Sequence, residues 1–282
     1  MPLLVTPHDL VDLRASAAPV SVLDVRWRLD RPDGRPEYLA GHIPGAVWVD
    51  LDRELASHGA PEEGRHPLPS LETLQEGARR WGLDDGDVVV VYDDWNSLAA
   101  ARAWWLLRRT GVADVRVLDG GLRAWTDAGL GLETADVVPA RGSITLRPLA
   151  DGVASIDDAA RWPARGVLVD SRAPERYRGE VEPLDPAAGH IPGARNLPAA
   201  AVLDGGRFRD ADALRAAFAD VGATPGTPVA AYCGSGITAA HTALAGELAG
   251  IEVSVYPGSW SAWSNTAGRP VATGAEPGGL AG

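Results

Sequence analysis

One cysteine, Cys233, stands in a chain of 282 residues. That excludes an intramolecular disulfide and any metal site built from several cysteines. No run of about 18 apolar residues occurs, so nothing in the sequence reads as a membrane-spanning helix. Basic side chains are few, 26 against 38 acidic for a net charge of −12, and they form no cluster along the chain. This argues against nucleic acid and anionic membrane as partners. The N-terminal stretch MPLLVTPHDLVDL has neither a basic leader nor a long apolar core, so it is not expected to be a signal peptide, and a cytoplasmic protein is expected. What the chain does have is a composition 45% hydrophobic. At this length it can build sizeable cores and two domains.

The lone cysteine sits in TPVAAYCGSGITAAHTALAGELAG, Thr227 to Gly250. Pro228 to Tyr232 is a short apolar run of the kind that forms a buried strand. Cys233-Gly234-Ser235-Gly236 follows, and then an Ala/Leu-rich segment that reads as a helix. A strand that ends on a cysteine and re-emerges as a helix places the sulfur above a helix N-terminus, where unpaired N–H groups and the macrodipole favour negative charge. The glycines let the loop curl into a nest of inward-pointing amides. A thiolate held there is a nucleophile.

Earlier in the chain, Thr6 to Ala15 suggests a short helix and Val20 to Trp27 a strand. Ser70 to Trp81 reads as an amphipathic helix, Val88 to Asp94 as a central parallel strand, Ser97 to Thr110 as a helix, and Val115 to Gly121 as a strand before a helix through Leu122 to Ala128. The second half repeats the first. GHIPGA begins at Gly41 and again at Gly189, Leu23-Asp24-Val25-Arg26 answers Val169-Asp170-Ser171-Arg172, and Asp119–Trp125 answers Pro257–Trp263. Matches in one order, spaced roughly 140–150 residues apart, mark an internal duplication. Each half alternates strands and helices, which implies two α/β domains with mainly parallel sheets flanked by helices. The expected boundaries are 1–138 for the N-terminal domain, 139–152 for a linker and 153–282 for the C-terminal catalytic domain. Asp93 stands in the first copy where Cys233 stands in the second, so only the second copy has a nucleophile.

The paired GHIPGA segments, DGGLRAW with GSWSAW, the Asp-for-Cys exchange at Asp93 and the loop Cys233 to Ala239 resemble the two-domain rhodanese family of sulfurtransferases, over nearly the whole chain. The cysteine loop is most similar to that of the 3-mercaptopyruvate sulfurtransferases; the thiosulfate-using branch typically has Arg and Lys where this chain has Gly234 and Ser235. The resemblance implies two tandem rhodanese-like domains and no cofactor or metal. It also implies a persulfide on Cys233, with the loop residues Gly234, Gly236, Ile237 and Thr238 around the donor. Arg176 would be the substrate arginine, a planar fork suited to a carboxylate. Family members often carry a second substrate arginine just before the run into GHIPGA. Leu184-Asp185 occupies that place here, so an incomplete clamp is expected.

The resemblance further implies a Ser–His–Asp arrangement of Ser235, His66 and Asp52 that passes a proton during C–S cleavage; alternatively Ser235 only hydrogen-bonds the persulfide. His42 and His190 lie in the repeated turn and read as structural, while His8, His58 and His241 show no ligand spacing. The implied partners are a small-molecule sulfur donor and an acceptor that is cyanide or a thiol such as thioredoxin or a small thiol. Three other readings stay open: thiosulfate as donor, a non-catalytic persulfide carrier, and a phosphatase. The last needs an arginine at Ala239 to complete Cys-x5-Arg.

Overall fold

A computed structural model describes residues 2–149 and 151–278. They fall into two compact units, one of residues 2–57 and 68–149 and one of residues 58–67 and 151–278.

The first unit runs β1 (Leu4–Val5), α1 (Pro7–Ala15), β2 (Val20–Asp24), α2 (Arg35–Ala40), β3 (Val47–Trp48), α3 (Leu51–Glu54), α4 (Leu71–Arg80), β4 (Val88–Tyr92), α5 (Leu98–Arg109), β5 (Asp114–Leu118) and α6 (Gly121–Asp127). Its sheet has the order β1-β5-β4-β2-β3, every neighbour pair parallel. The run VVVVY is central because each of its five side chains is buried, and a parallel strand covered on both faces needs such a continuous apolar run. Thr6 caps α1 through a capping box with Asp9, and Ser70 caps α4, which places both helix starts where the sequence puts them.

The second unit repeats the plan with β6 (Val167–Asp170), β7 (Arg195–Asn196), β8 (Leu203–Asp204), β9 (Arg207–Phe208), β10 (Val229–Tyr232) and β11 (Val253–Val255). Its helices are α7 (Ile156–Arg161), α8 (Pro174–Tyr177), α9 (Ala211–Asp220), α10 (Ile237–Leu248) and α11 (Ser259–Asn265). The sheet order is β11-β10-β6-β7, again parallel throughout, with β8-β9 as a separate antiparallel hairpin. The repeat extends to side chains. His42 stacks on Tyr38 at 3.8 Å and His190 on Tyr177 at 3.8 Å. Each of these histidines is fully buried, with Nδ1 2.8 Å from the carbonyl of its tyrosine. GHIPGA is therefore a structural corner whose polar ring is satisfied internally.

Two stretches depart from the expected boundaries. Residues His58–Pro67, expected inside the 1–138 domain, pack with the second unit, where Arg65 pairs with Asp185 and His66 meets Ser235. The expected linker is not loose either. The amides of Gly142, Ile144 and Arg147 donate to the carbonyls of Arg79, Leu83 and Thr110 at 2.7–3.0 Å, and Ile144 and Leu146 are buried. Two apolar side chains in alternate positions strap this segment onto the first unit. Among the described residues no helix is long and apolar enough to cross a membrane.

The first unit also shows what its cysteine-less loop holds. The Asp93 carboxylate, fully buried, accepts N–H bonds from Trp95 and Ser97 on Oδ1 and from Ala99 and Ala100 on Oδ2, all at 2.8–2.9 Å. Burial pushes its pKa up to about 6, against the pull of these donors. The folded state thus binds the proton more tightly than the unfolded chain, so this group's contribution to stability is greatest below about pH 4 and is lost as pH rises through 6. Urea unfolding of wild type and Asp93→Asn at pH 4 and pH 7 tests this. Wild type is expected to lose roughly 2 kcal/mol relative to the variant over that range, since each tenfold difference in proton affinity corresponds to about 1.4 kcal/mol and part of the difference is already spent at pH 4; parallel profiles would refute it.

Candidate active site

Strand β10 delivers Cys233 at its carboxyl end, and α10 starts four residues later. The turn between them closes because Gly236 adopts φ +83°, and a Cβ there would lie 2.3 Å from the Pro257 carbonyl oxygen. Both facts demand glycine. In this conformation the Gly236 amide donates to the Cys233 sulfur at 3.1 Å. Ile237 is buried in the first turn of α10, and Thr238 beside it is half-buried.

The cysteine is held from a second side by the start of α11. Trp260 N–H donates to the Cys233 carbonyl and Ser261 N–H to that of Gly234, each at 2.9 Å. Ser259 has φ +53°, a left-handed backbone that costs a non-glycine residue on the order of 1–3 kcal/mol. Its hydroxyl accepts the Cys233 amide at 3.1 Å, donates to the Tyr256 carbonyl at 2.9 Å and lies 4.0 Å from the sulfur. The first copy carries Gly121 at φ +57° in the matching place. That exchange of glycine for serine is the signal in the sequence that marks Ser259, a residue the motifs alone do not single out. Cys233 itself is only 2% exposed.

Ser235 and His66 are brought together, with His66 Nδ1 2.8 Å from Ser235 Oγ and both largely buried. His66 arrives on the segment 58–67 that belongs to this unit. Asp52, the third residue expected with them, lies on α3 of the first unit.

Arg176 occupies α8, and its guanidinium points at the cysteine loop. A Cβ on Gly234 would lie 3.4 Å from Arg176 Nη1 and 3.1 Å from Arg65 Nη2. Two guanidinium groups therefore face the residue after the cysteine, although the place around residue 185 holds no arginine, as the sequence showed. The second fork comes from Arg65, next to His66, and not from the stretch around residue 185. Composition and spacing could not find it, because Arg65 lies far from the loop in sequence and in the other copy of the repeat. Both forks are braced by carboxylates. Glu182 takes Arg176 Nη2 at 2.6 Å and Nε at 3.3 Å, and Asp185 takes Arg65 Nη1. Behind them Arg172 forms a buried pair with Asp170 at 2.6 Å and lies 4.5 Å over the Trp260 ring. Arg26 and Asp24 pair in the same way at 2.6 Å in the first unit.

This arrangement can do three things chemically. The sulfur sits at the start of a twelve-residue helix and accepts an amide N–H, placed as a nucleophile at the end of a strand. The arginine forks offer N–H donors to an anion beside it. The Ser235–His66 pair can carry a proton at the same loop.

Comparison with known proteins gives the family. The family model for the rhodanese-like domain matches residues 6–128 and 155–266. The Mycobacterium tuberculosis protein SseB, which bears the name of a thiosulfate sulfurtransferase, is 49% identical over 275 residues, covering 96% of this chain and 97% of its own. Human 3-mercaptopyruvate sulfurtransferase is 36% identical over 263 residues, covering 89% of this chain and 88% of its own. The crystal structure of the 3-mercaptopyruvate enzyme SseA from Escherichia coli aligns with a TM-score of 0.80 at 33% identity, over 92% of this chain and 99% of that one. With both copies matched and relatives aligned along almost their full length, the chain belongs to the rhodanese-like family of sulfurtransferases.

Proposed function

We infer that this protein moves a sulfane sulfur from 3-mercaptopyruvate, through a persulfide on Cys233, to a thiol or to cyanide. The observation that carries this reading is the pair of guanidinium ends at Gly234, which suits a carboxylate lying beside the sulfur. In the first half-reaction the Cys233 thiolate attacks the donor's sulfur. The C–S bond breaks, its electron pair goes to carbon as the enolate of pyruvate, and Cys233 keeps the sulfur as a persulfide. Ser235, in contact with His66 at 2.8 Å, supplies the proton that turns the enolate into pyruvate. In the second half-reaction the acceptor attacks the outer sulfur, and the Cys233 thiolate leaves.

The internal repeat supports the persulfide step. Asp93 is longer than cysteine, and its two oxygens lie among four amides of the loop and the first turn of α5. The same frame around Cys233 suits an anion one bond beyond the sulfur, where the outer sulfur of a persulfide would sit.

Thiosulfate is a second reading, favoured by the likeness to SseB. The donors differ in what leaves: sulfite departs without needing a proton on carbon, whereas the pyruvate enolate needs one.

Three substitutions test the scheme, with thiocyanate formation from cyanide as the assay. Cys233→Ser is expected to abolish transfer from either donor, and turnover above background would overturn the persulfide route. Arg65→Leu and Arg176→Leu should each raise KM for mercaptopyruvate about 10–100-fold, matching roughly 1.5–3 kcal/mol for a lost charged hydrogen bond; an unchanged KM removes that residue from the clamp. Ser235→Ala should lower kcat with mercaptopyruvate about 100-fold or more while sparing thiosulfate, and an equal loss with both donors would count against the proton relay.

A further inference from the structure

We propose that Asp185 is a specificity-determining residue that makes the donor site a filter for single over double negative charge; this rests on the donor-site reading above. Asp185 is the shared counter-ion of the two arginines that face Gly234. Its Oδ1 pairs with Arg65 Nη1, and its Oδ2 lies 3.6 Å from Arg176 Nη2. The carboxylate side chain is only 2% exposed, while the arginines are 26% and 20% exposed. Bulk water therefore screens Asp185 poorly, and its charge is felt by whatever the arginines hold.

The nitrogens that face Gly234 are Arg65 Nη2 and Arg176 Nη1. The opposite edges of both forks are already committed, to Asp185 and to Glu182. Around the loop, three arginines (65, 172 and 176) are balanced by three buried carboxylates (Asp170, Glu182 and Asp185). Arginines whose charge is already matched by carboxylates, with two directed donors left toward Gly234, bind one carboxylate by geometry and gain little from a second charge on the ligand. Each added unit of ligand charge also meets Asp185 directly. At about 5 Å and an effective permittivity near 20, one such charge–charge repulsion corresponds to roughly a hundredfold in affinity, and partial screening reduces it to about tenfold. Arg65 and Asp185 are reachable from outside: a cavity of about 310 Å³ is lined by His58, Gly64, Arg65, Asp185 and Ser261 among others.

The test separates charge from turnover. In Cys233→Ser and Cys233→Ser/Asp185→Asn proteins, calorimetry at low salt measures Kd for thiosulfate, a dianion, and for pyruvate, a monoanion. The Asp185→Asn change is expected to shift the ratio of these affinities about tenfold toward thiosulfate. With Cys233 present, kcat/KM for thiosulfate over that for mercaptopyruvate should shift in the same direction. Asp185→Glu, which keeps the charge, should retain the wild-type ratio and serves as the control if the amide variant folds poorly. An unchanged affinity ratio in Asp185→Asn, or the same shift in Asp185→Glu, would overturn the filter. A protein that transfers sulfur from neither donor while its affinity ratio still shifts would sink the transferase reading and leave the filter standing.

Discussion

The hydrogen bond from the Gly236 amide to the Cys233 sulfur is the contact on which the rest of the site depends. It exists only because the chain leaves β10 and enters α10 through a left-handed glycine pressed against the Pro257 carbonyl. That close approach in turn requires the start of α11 to be in place, and α11 is tied back by Trp260 and Ser261 amides to the carbonyls of Cys233 and Gly234. Strand end, helix start and returning helix thus fix one another. The sulfur is oriented by backbone, which costs no reorganisation when charge develops.

The two copies show how one frame supports different outcomes. In the first, a carboxylate fills the loop and uses up its amides. In the second, a shorter thiol stands at that place and accepts the Gly236 amide. The buried Asp–Arg pairs Asp24–Arg26 and Asp170–Arg172 occur in both copies, as do the stacked Tyr–His corners. These belong to the scaffold, and the difference in chemistry comes down to the side chain at the end of one strand. Ser259, strained where its counterpart is glycine, marks a second place where the copies have diverged toward the sulfur.

Much of this was legible in the sequence because it is local. The apolar run Val88–Tyr92, the caps Thr6 and Ser70 and the Cys-Gly-Ser-Gly turn each announce their structure within a few residues. The repeat of GHIPGA disclosed the two-unit plan and marked its histidines as structural. Arg65 and its pairing with Asp185 were not legible, since they join positions more than a hundred residues apart. Nor was the role of Ile144 and Leu146, whose burial turns an apparent linker into part of the first unit. Local pattern reports which element forms; it does not report which distant charge an arginine will meet.

The segment His58–Pro67 has a lasting effect on how this gene can change. It is encoded within the first copy but folds with the second, bringing Arg65 and His66 to the cysteine loop. A split at the seam of the duplication would leave the nucleophile on one polypeptide and its anion fork and imidazole on the other. The second copy inherited alone would therefore lack Arg65 and His66, the two side chains that the first copy's stretch of chain brings to the cysteine loop.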